Sequence, residues 1–122
     1  MPEGPEIRRA ADRIARVLVD EPVVEVEFGL PALKRWRRRL EGRTVTAVDT
    51  RGKAMLTRFD NELTLYSHNQ LYGRWYTCKR PGMPDTGRSL RVALHTPTHS
   101  ALLYSASDIE ILTPGDEDRH PF

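Results

Sequence analysis

The sequence predicts a mainly β fold with flanking α-helices, arranged as an antiparallel sandwich or a flattened barrel. Seven or eight short segments rich in β-forming residues alternate with turns that contain Gly, Pro, Asn or Asp. An amphipathic helix precedes them. The chain has 122 residues, of which 39% are hydrophobic and 30% charged. These values are typical of one soluble globular domain with a modest core.

The opening helix is predicted over about residues 5–19. Pro5 suits its first position, because the N–H that proline lacks would have had no partner there. Apolar residues then recur at helical spacing, at positions 7, 10, 11, 14, 17 and 18. The helix therefore begins within a few residues of the chain terminus and holds that terminus in place.

A strand and a short helix are predicted next. In residues 23–28, Val24, Val26 and Phe28 alternate with acidic residues, as in a half-buried strand. Residues 32–40 form a short helix that Gly42 closes.

The rest of the chain has a β pattern interrupted by turns. Turns are predicted at residues 51–52 and 60–61, and an exposed loop at residues 80–87. The expected strands are 43–49, 54–59, 63–66, 73–77, 90–96, 101–104 and 109–112.

The net charge is only +2, but sixteen of the nineteen basic residues are arginine. Arginine can clamp phosphate oxygens with two hydrogen bonds and stack on bases, although a GC-rich genome also favours it. The most basic stretch is residues 34–39. Its helical spacing is equally compatible with a solvated face from which Trp36 and Leu40 turn inward.

Several classes of protein are excluded or disfavoured. Cys78 is the only cysteine, which rules out an intrachain disulfide, and the four histidines show no metal-ligand spacing with it. No apolar run approaches the length of a membrane span, and no signal-peptide pattern is present. A cytosolic location is expected.

The first candidate site is the opening string Met-Pro-Glu-Gly-Pro-Glu. If Met1 is removed, Pro2 becomes a secondary amine, and the positive potential of the helix N-terminus favours its neutral form. A neutral amine can form a Schiff base with an aldehyde-like carbon, and Glu3 could donate or accept a proton. The same potential favours ionised Glu3, so proton donation would require burial. From the residue types alone, a plain lead-in to the helix is the favoured alternative.

The second candidate is Lys53, in the string Arg-Gly-Lys at residues 51–53. Gly52 permits a tight turn, from which the lysine can point into a groove. A hairpin with a solvated lysine is the alternative.

The third candidate is the polar and bulky stretch that runs from His68 and Asn69 to Gln70, Leu71 and Tyr72. An enzyme that flips a base out of a duplex must fill the gap with apolar or flat side chains. These residues offer an amide, a wedge and a stacking ring. The alternative is a strand crossing that buries the leucine and the tyrosine.

Together the strings MPEGPE at residues 1–6, RGK at 51–53 and HNQLYG at 68–73 resemble the formamidopyrimidine-DNA glycosylase and endonuclease VIII family of base-excision repair enzymes. The resemblance extends over essentially the whole chain. It implies a two-layered antiparallel β-sandwich whose N-terminal helix carries the nucleophile.

The resemblance also implies a reaction and a role for each residue. A bifunctional DNA glycosylase and AP lyase of this family forms a Schiff base at the processed proline, here Pro2, and then cleaves the strand by elimination. Glu3 would assist opening of the sugar ring, and Lys53 would contact DNA and transfer protons. Glu6 is a candidate sugar contact.

The remaining matches favour one branch of the family. Gln70, Leu71 and Tyr72 resemble the void-filling loop of endonuclease VIII, and His68 and Asn69 would lie near the phosphate backbone. The arginine-rich, phenylalanine-containing motif of the purine-specific branch is not found near residues 104–110. Oxidised pyrimidines in duplex DNA are therefore the expected substrates. The oxidised-purine branch and a lesion-binding module without catalysis remain as alternatives.

The tail indicates that residues 1–122 are an N-terminal catalytic domain cut from a longer protein. In the family, a His-Pro-Phe string such as residues 120–122 leads into a helical domain and a zinc finger. No cofactor is therefore expected in this chain, and a structural zinc is implied for the absent part. The expected partner is damaged double-stranded DNA, bound by a monomer, with weak binding and little activity from the isolated domain.

Overall fold

The computed structural model describes residues 4–68, 73–80, 82, 89–106 and 108–119. Two four-stranded antiparallel sheets face each other, and helical segments flank them. The sandwich predicted from the sequence is thus confirmed over the flattened barrel. Its helices are α1 (Gly4–Leu18), α2 (Arg37–Leu40) and α3 (Pro114–Arg119), and its strands are β1 (Glu25–Phe28), β2 (Val45–Arg51), β3 (Ala54–Phe59), β4 (Thr64–His68), β5 (Arg74–Lys79), β6 (Leu90–His95), β7 (His99–Tyr104) and β8 (Asp108–Leu112).

The first sheet has the strand order β2-β3-β4-β8, and its register aligns four strand ends. At one end Arg51 pairs with Ala54, Ala54 with His68, and His68 with Asp108. The turn between β2 and β3 and the end of β4 therefore lie at the same end of this sheet.

The second sheet has the strand order β1-β6-β7-β5. The inner faces of the two sheets meet in one apolar core, as expected when alternate residues of each strand point inward. Its fully buried members include Val26, Met55, Leu65, Leu94 and Leu103.

Helical segments close both sides of the sandwich. Helix α1 packs against the edge strands β2 and β5 and buries Ile14 and Leu18 completely. On the other side, a 3₁₀ segment at Pro31–Trp36 contacts β1 and β8. Burial against two sheets supplies stability that a helix of this length lacks on its own.

The helical segment predicted over residues 32–40 changes geometry within its length. It is 3₁₀ over Pro31–Trp36 and α-helical over Arg37–Leu40. Three residues per turn bring Leu33 and Trp36 to the same face, and both contact the core. Gly42 follows with φ of +84°, as predicted for a helix-ending glycine.

Two strand predictions need correction. The alternation in residues 23–28 predicts that Val24 faces the core, but β1 begins only at Glu25 and Val24 is 46% exposed. In β2 the sequence predicts that Val45, Ala47 and Asp49 alternate with Thr44, Thr46 and Val48, but a register shift between Val45 and Ala47 breaks this alternation. This bulge turns Val48, instead of Ala47, into the core.

The helix α3 was not predicted. The Asp116 carboxylate accepts a hydrogen bond from the Thr113 N–H at 3.1 Å, and the Thr113 hydroxyl accepts one from the Asp116 N–H at 3.3 Å. This reciprocal pair is a capping box, a signal visible in the sequence Thr-Pro-Gly-Asp.

Candidate functional site

Lys53 occupies a two-residue turn between β2 and β3. Gly52 is the first residue of the turn and has φ of +61°, a value that favours glycine. Glycine at the first central position with positive φ is the pattern of a type II′ hairpin. The Lys53 side chain is half-buried and is engaged in an interaction within the protein. The turn predicted at residues 51–52 is therefore shifted by one residue, since Arg51 still belongs to β2.

His68 ends β4 beside that turn, which corrects its placement in a loop. It pairs with Ala54 on one side and with Asp108 on the other, and these two ladders extend the strand two residues beyond the predicted end. Because Ala54 directly follows Lys53, the histidine and the lysine belong to the same corner of the sheet. The His68 side chain is half-buried and also has a partner in the protein.

Tyr66 and Asp108 complete the outer face of this corner, and the sequence motifs did not identify them. The Tyr66 hydroxyl donates a hydrogen bond to the Asp108 carboxylate at 3.1 Å. Burial of the ring and the negative charge of Asp108 raise the pKa of Tyr66 to about 12, so it remains a hydrogen-bond donor at neutral pH. The two-residue alternation with His68 would have placed Tyr66 on the same face, once residues 64–68 are taken as a strand.

The first turn of α1 carries Glu6, which is exposed. The residue after α1, Val19, bridges Val45 at the start of β2, so the helix ends at the opposite end of β2 from Lys53. Helix α1 also contacts β2, so its chain direction leads from Glu6 to the end of β2 that is distant from Lys53.

Six predicted site residues lie outside the described residues. They are Pro2, Glu3, Asn69, Gln70, Leu71 and Tyr72. The structure describes three of the predicted site residues. It brings Lys53, in the turn before β3, and His68, at the end of β4, to the same corner of the first sheet. The third, Glu6, lies in the first turn of α1.

An ion-pair network fixes α3 to the outer face of the same sheet. Arg58 donates to Glu117 through both terminal nitrogens, at 2.7 and 3.0 Å, and to Asp49 at 2.6 Å. The bidentate arginine lowers the pKa of Glu117, and the two carboxylates raise the pKa of Arg58. Arg58 and Glu117 are therefore both charged at neutral pH.

Metal-binding clusters and membrane-spanning helices are both absent from the described part of the chain. Within it, no group of three or more His, Cys, Asp or Glu residues is placed to hold a metal ion. None of the helices described is long and apolar enough to cross a membrane.

The fold and this corner define a class of protein, and the comparison with family models agrees. Residues 1–107 match the model of the formamidopyrimidine-DNA glycosylase N-terminal domain. The chain belongs to this family, and the resemblance inferred from three sequence strings is confirmed.

Similar proteins and structures support this assignment. Endonuclease 8 from Escherichia coli O1:K1 is 56% identical over all 122 residues, which make up 46% of that protein. Endonuclease 8 from Escherichia coli O7:K1 gives the same values. The chain thus spans about half the length of the curated relatives it matches.

The fold is also that of solved structures of formamidopyrimidine-DNA glycosylase from Lactococcus lactis. The wild-type enzyme with DNA containing an oxidised pyrimidine matches with a TM-score of 0.84 and 14% identity, over 97% of this chain and 47% of that one. The enzyme bound non-covalently to DNA with an AP site matches with a TM-score of 0.81 and 14% identity, over 93% and 46% of the two chains. These likenesses establish the two-sheet architecture.

Proposed function

We propose that residues 1–122 are the N-terminal catalytic domain of an endonuclease VIII-like enzyme. The enzyme is a bifunctional DNA glycosylase and AP lyase that removes oxidised pyrimidines from duplex DNA. It acts through a Schiff base at Pro2 and then cleaves the strand by elimination.

The observation that carries this proposal is the register at one end of the first sheet. Lys53 lies in the turn that leads into Ala54, and Ala54 pairs with His68. Residue 69 follows His68 directly in the chain, and residues 69–72 are the predicted void-filling segment. Two separate sequence strings thereby join one corner of the domain, as a single lesion site requires.

The direction of α1 supports the third part of the site. The helix ends at the far end of β2, so its beginning, which Pro2 and Glu3 precede by one or two residues, is directed toward the corner that holds Lys53. A helix N-terminus stabilises negative charge through its free N–H groups and its dipole. The negatively charged phosphate of a bound nucleotide suits this position.

The proposed reaction uses each residue once the damaged nucleotide has left the helix. Gln70, Leu71 and Tyr72 occupy the gap, and the Pro2 nitrogen attacks C1′ of the deoxyribose. Glu3 transfers a proton to the ring oxygen as the base departs.

The second half of the reaction is an elimination. The protonated Schiff base makes the C2′ protons acidic, and loss of one of them expels the 3′ phosphate and cleaves the strand. Lys53 contacts the phosphate and assists by proton transfer, while His68 and Asn69 contact the backbone and Glu6 the sugar.

The preference for pyrimidine lesions is supported by sequence similarity. Curated relatives with 56% identity over this whole chain carry the name Endonuclease 8. The solved structures of the formamidopyrimidine enzyme, at 14% identity, support the shared fold only. We therefore place this chain in the endonuclease VIII branch.

The proposal extends to the rest of the protein. The partner is damaged double-stranded DNA, bound by a monomer in the bacterial cytosol or nucleoid. The remaining half would supply a helical domain and a zinc finger with a structural zinc, since the chain makes up 46% of its curated relatives.

Borohydride trapping on lesion DNA tests the chemistry. The full-length protein should form a covalent adduct with a duplex that carries thymine glycol, and an extra residue before Pro2 should abolish it. That extension turns the proline nitrogen into a tertiary amide, which is not a nucleophile. The same extension at the C-terminus is the control.

Absence of an adduct from the full-length protein would contradict the enzymatic proposal. Comparison of excision rates for thymine glycol and 8-oxoguanine then tests the branch. Faster excision of the purine lesion would refute the assignment to endonuclease VIII.

A further inference from the structure

The positive charge of the chain is concentrated in residues 34–43, here called the basic segment. This segment holds six of the nineteen basic residues and one of the seventeen acidic residues. The remainder of the chain is therefore net acidic, and the basic segment is a stretch to which a polyanion would be attracted.

Two arginines of the basic segment stack on an anchored tryptophan. The guanidinium carbons of Arg35 and Arg39 lie 5.2 and 5.3 Å from the Trp36 ring centroid. Trp36 is half-buried and packs against the core, so both guanidinium groups rest on a fixed platform. A stacked guanidinium keeps the N–H donors at its edge available for a phosphate.

Arginines also line two adjoining depressions that share Arg39. One has a volume of about 300 Å³ and is formed by Arg35, Trp36 and Arg39. The other, of about 460 Å³, includes Arg38, Arg39 and Arg43. Two neighbouring basic depressions match the repeated phosphates of a nucleic-acid strand better than a single small anion.

The acidic group in the larger depression is already engaged. The Glu41 carboxylate accepts hydrogen bonds from the Val26 N–H and from the Arg37 guanidinium, both at 3.0 Å. Among the described residues, Arg35, Arg38 and Arg39 have no carboxylate within salt-bridge distance. Arg38 does interact with the charge of Glu41, and Arg43 lies 3.9 Å from the Asp60 carboxylate. The six cations of the segment nevertheless exceed these two carboxylates, so the segment keeps a positive net charge.

The basic segment is remote from the corner that holds Lys53. The Asn61 side chain donates a hydrogen bond to the Arg39 carbonyl at 2.8 Å, which places the end of α2 at the turn between β3 and β4. Lys53 precedes the opposite end of β3, a six-residue strand of about 17 Å. The basic segment also closes the side of the sandwich opposite α1.

We propose that Arg35, Arg38, Arg39 and Arg43 bind the phosphate backbone of a second stretch of duplex DNA, away from the lesion. Binding is independent of sequence, because phosphates and not base edges are contacted. The site goes beyond the proposed repair chemistry and does not depend on it. It would let the domain hold a neighbouring duplex segment while the lesion site is empty or occupied.

The test is the salt dependence of binding to an undamaged 20-base-pair duplex, measured by fluorescence anisotropy. A triple variant, Arg35→Gln/Arg38→Gln/Arg39→Gln, should flatten the slope of log K against log salt by about 2 to 3, since each phosphate that the protein neutralises contributes about 0.9 to the slope. A control with the same charge change uses other exposed cations. It is Arg9→Gln/Arg16→Gln/Lys79→Gln.

A second variant keeps the test decisive if the first one does not fold. Replacing the same three arginines by lysine keeps the charge but removes stacking and bidentate hydrogen bonds. Its slope should match the wild type within about 0.5 while its affinity falls several-fold. Circular dichroism confirms that each variant is folded.

Two results would overturn the proposal. One is a slope change in the control triple variant as large as that in the basic-segment variant. The other is tighter binding of polyglutamate than of the duplex at equal charge, which would identify an acidic protein as the partner. Because no Schiff base forms on undamaged DNA, failure of the repair chemistry would leave this measurement unaffected.

Discussion

The turn that carries Lys53 should depend on the backbone freedom of Gly52. Its φ is +61°, and a Cβ added there would meet no atom within 4 Å. Replacing Gly52 by alanine therefore creates no collision, so its cost comes from the backbone alone. The change in stability therefore measures the backbone strain at this position.

The magnitude follows from the left-handed backbone. An L-residue at positive φ costs about 1–2 kcal/mol relative to glycine. For a domain of this size that corresponds to a fall in melting temperature of about 3 to 10 °C. Relief of the strain by a shift of the turn would also move Lys53, and a displacement of about 1 Å can reduce a rate about 100-fold.

Gly42 provides a matched control. It has φ of +84°, it too has open space around its Cβ position, and it follows α2 far from Lys53. Gly42→Ala should lower the melting temperature by a similar amount. Borohydride trapping by the full-length protein should fall about 10- to 100-fold for Gly52→Ala and stay near the wild-type rate for Gly42→Ala.

Equal trapping rates in the two variants would refute the argument that the turn positions Lys53. An unchanged melting temperature in both would refute the argument from backbone strain. Asparagine tolerates the left-handed region better than alanine, so Gly52→Asn should recover part of the lost stability.

The remaining predictions concern the proposed catalytic charge of Lys53 and the structural charge of Glu117. Lys53→Gln should slow strand cleavage at an abasic site by about 100-fold or more. Lys79 is an exposed lysine at the end of β5, and Lys79→Gln should leave the cleavage rate unchanged. An equal loss of rate in both variants would contradict the proposed role of Lys53. The Arg58 guanidinium lowers the pKa of Glu117 below its ordinary value of 4.5, so the carboxylate stabilises the fold above about pH 4.5 and this contribution is lost as the pH falls through the lowered pKa. Urea unfolding can measure how much the free energy of unfolding falls between pH 7 and pH 3. This fall should be smaller in Glu117→Gln than in the wild type or in a Glu21→Gln control. Parallel pH curves for all three proteins would show that the ion pair contributes nothing.

Much of the fold followed from local patterns. The apolar spacing of α1 predicted its bounds to within one residue at each end, because the helix buries one face along its whole length. The alternation and turns of the β part predicted eight strands. The strand predictions were wrong where one extra residue shifts the inward and outward alternation, as at the bulge after Val45. The helix α3 was missed because its capping box was overlooked.

Less of the candidate site than of the fold could be predicted from the sequence. The resemblance identified Lys53 and His68, but it did not place His68 on a strand. It also did not show Tyr66 and Asp108 together, since they are 42 residues apart in the chain and meet only through the pairing of β4 with β8. The roles of Lys53, His68 and Glu6, like those of Pro2, Glu3 and residues 69–72, stay predictions.

By itself, the sequence determined the local conformations and the chemistry available. A glycine at positive φ, a proline near the start of a helix and an amphipathic repeat are consequences of neighbouring atoms in the chain. Only the tertiary structure decided which ends of which strands meet, because pairing across β3, β4 and β8 depends on contacts between distant residues. That pairing places Lys53 and His68 at one end of the sheet and the arginines of the basic segment at the other.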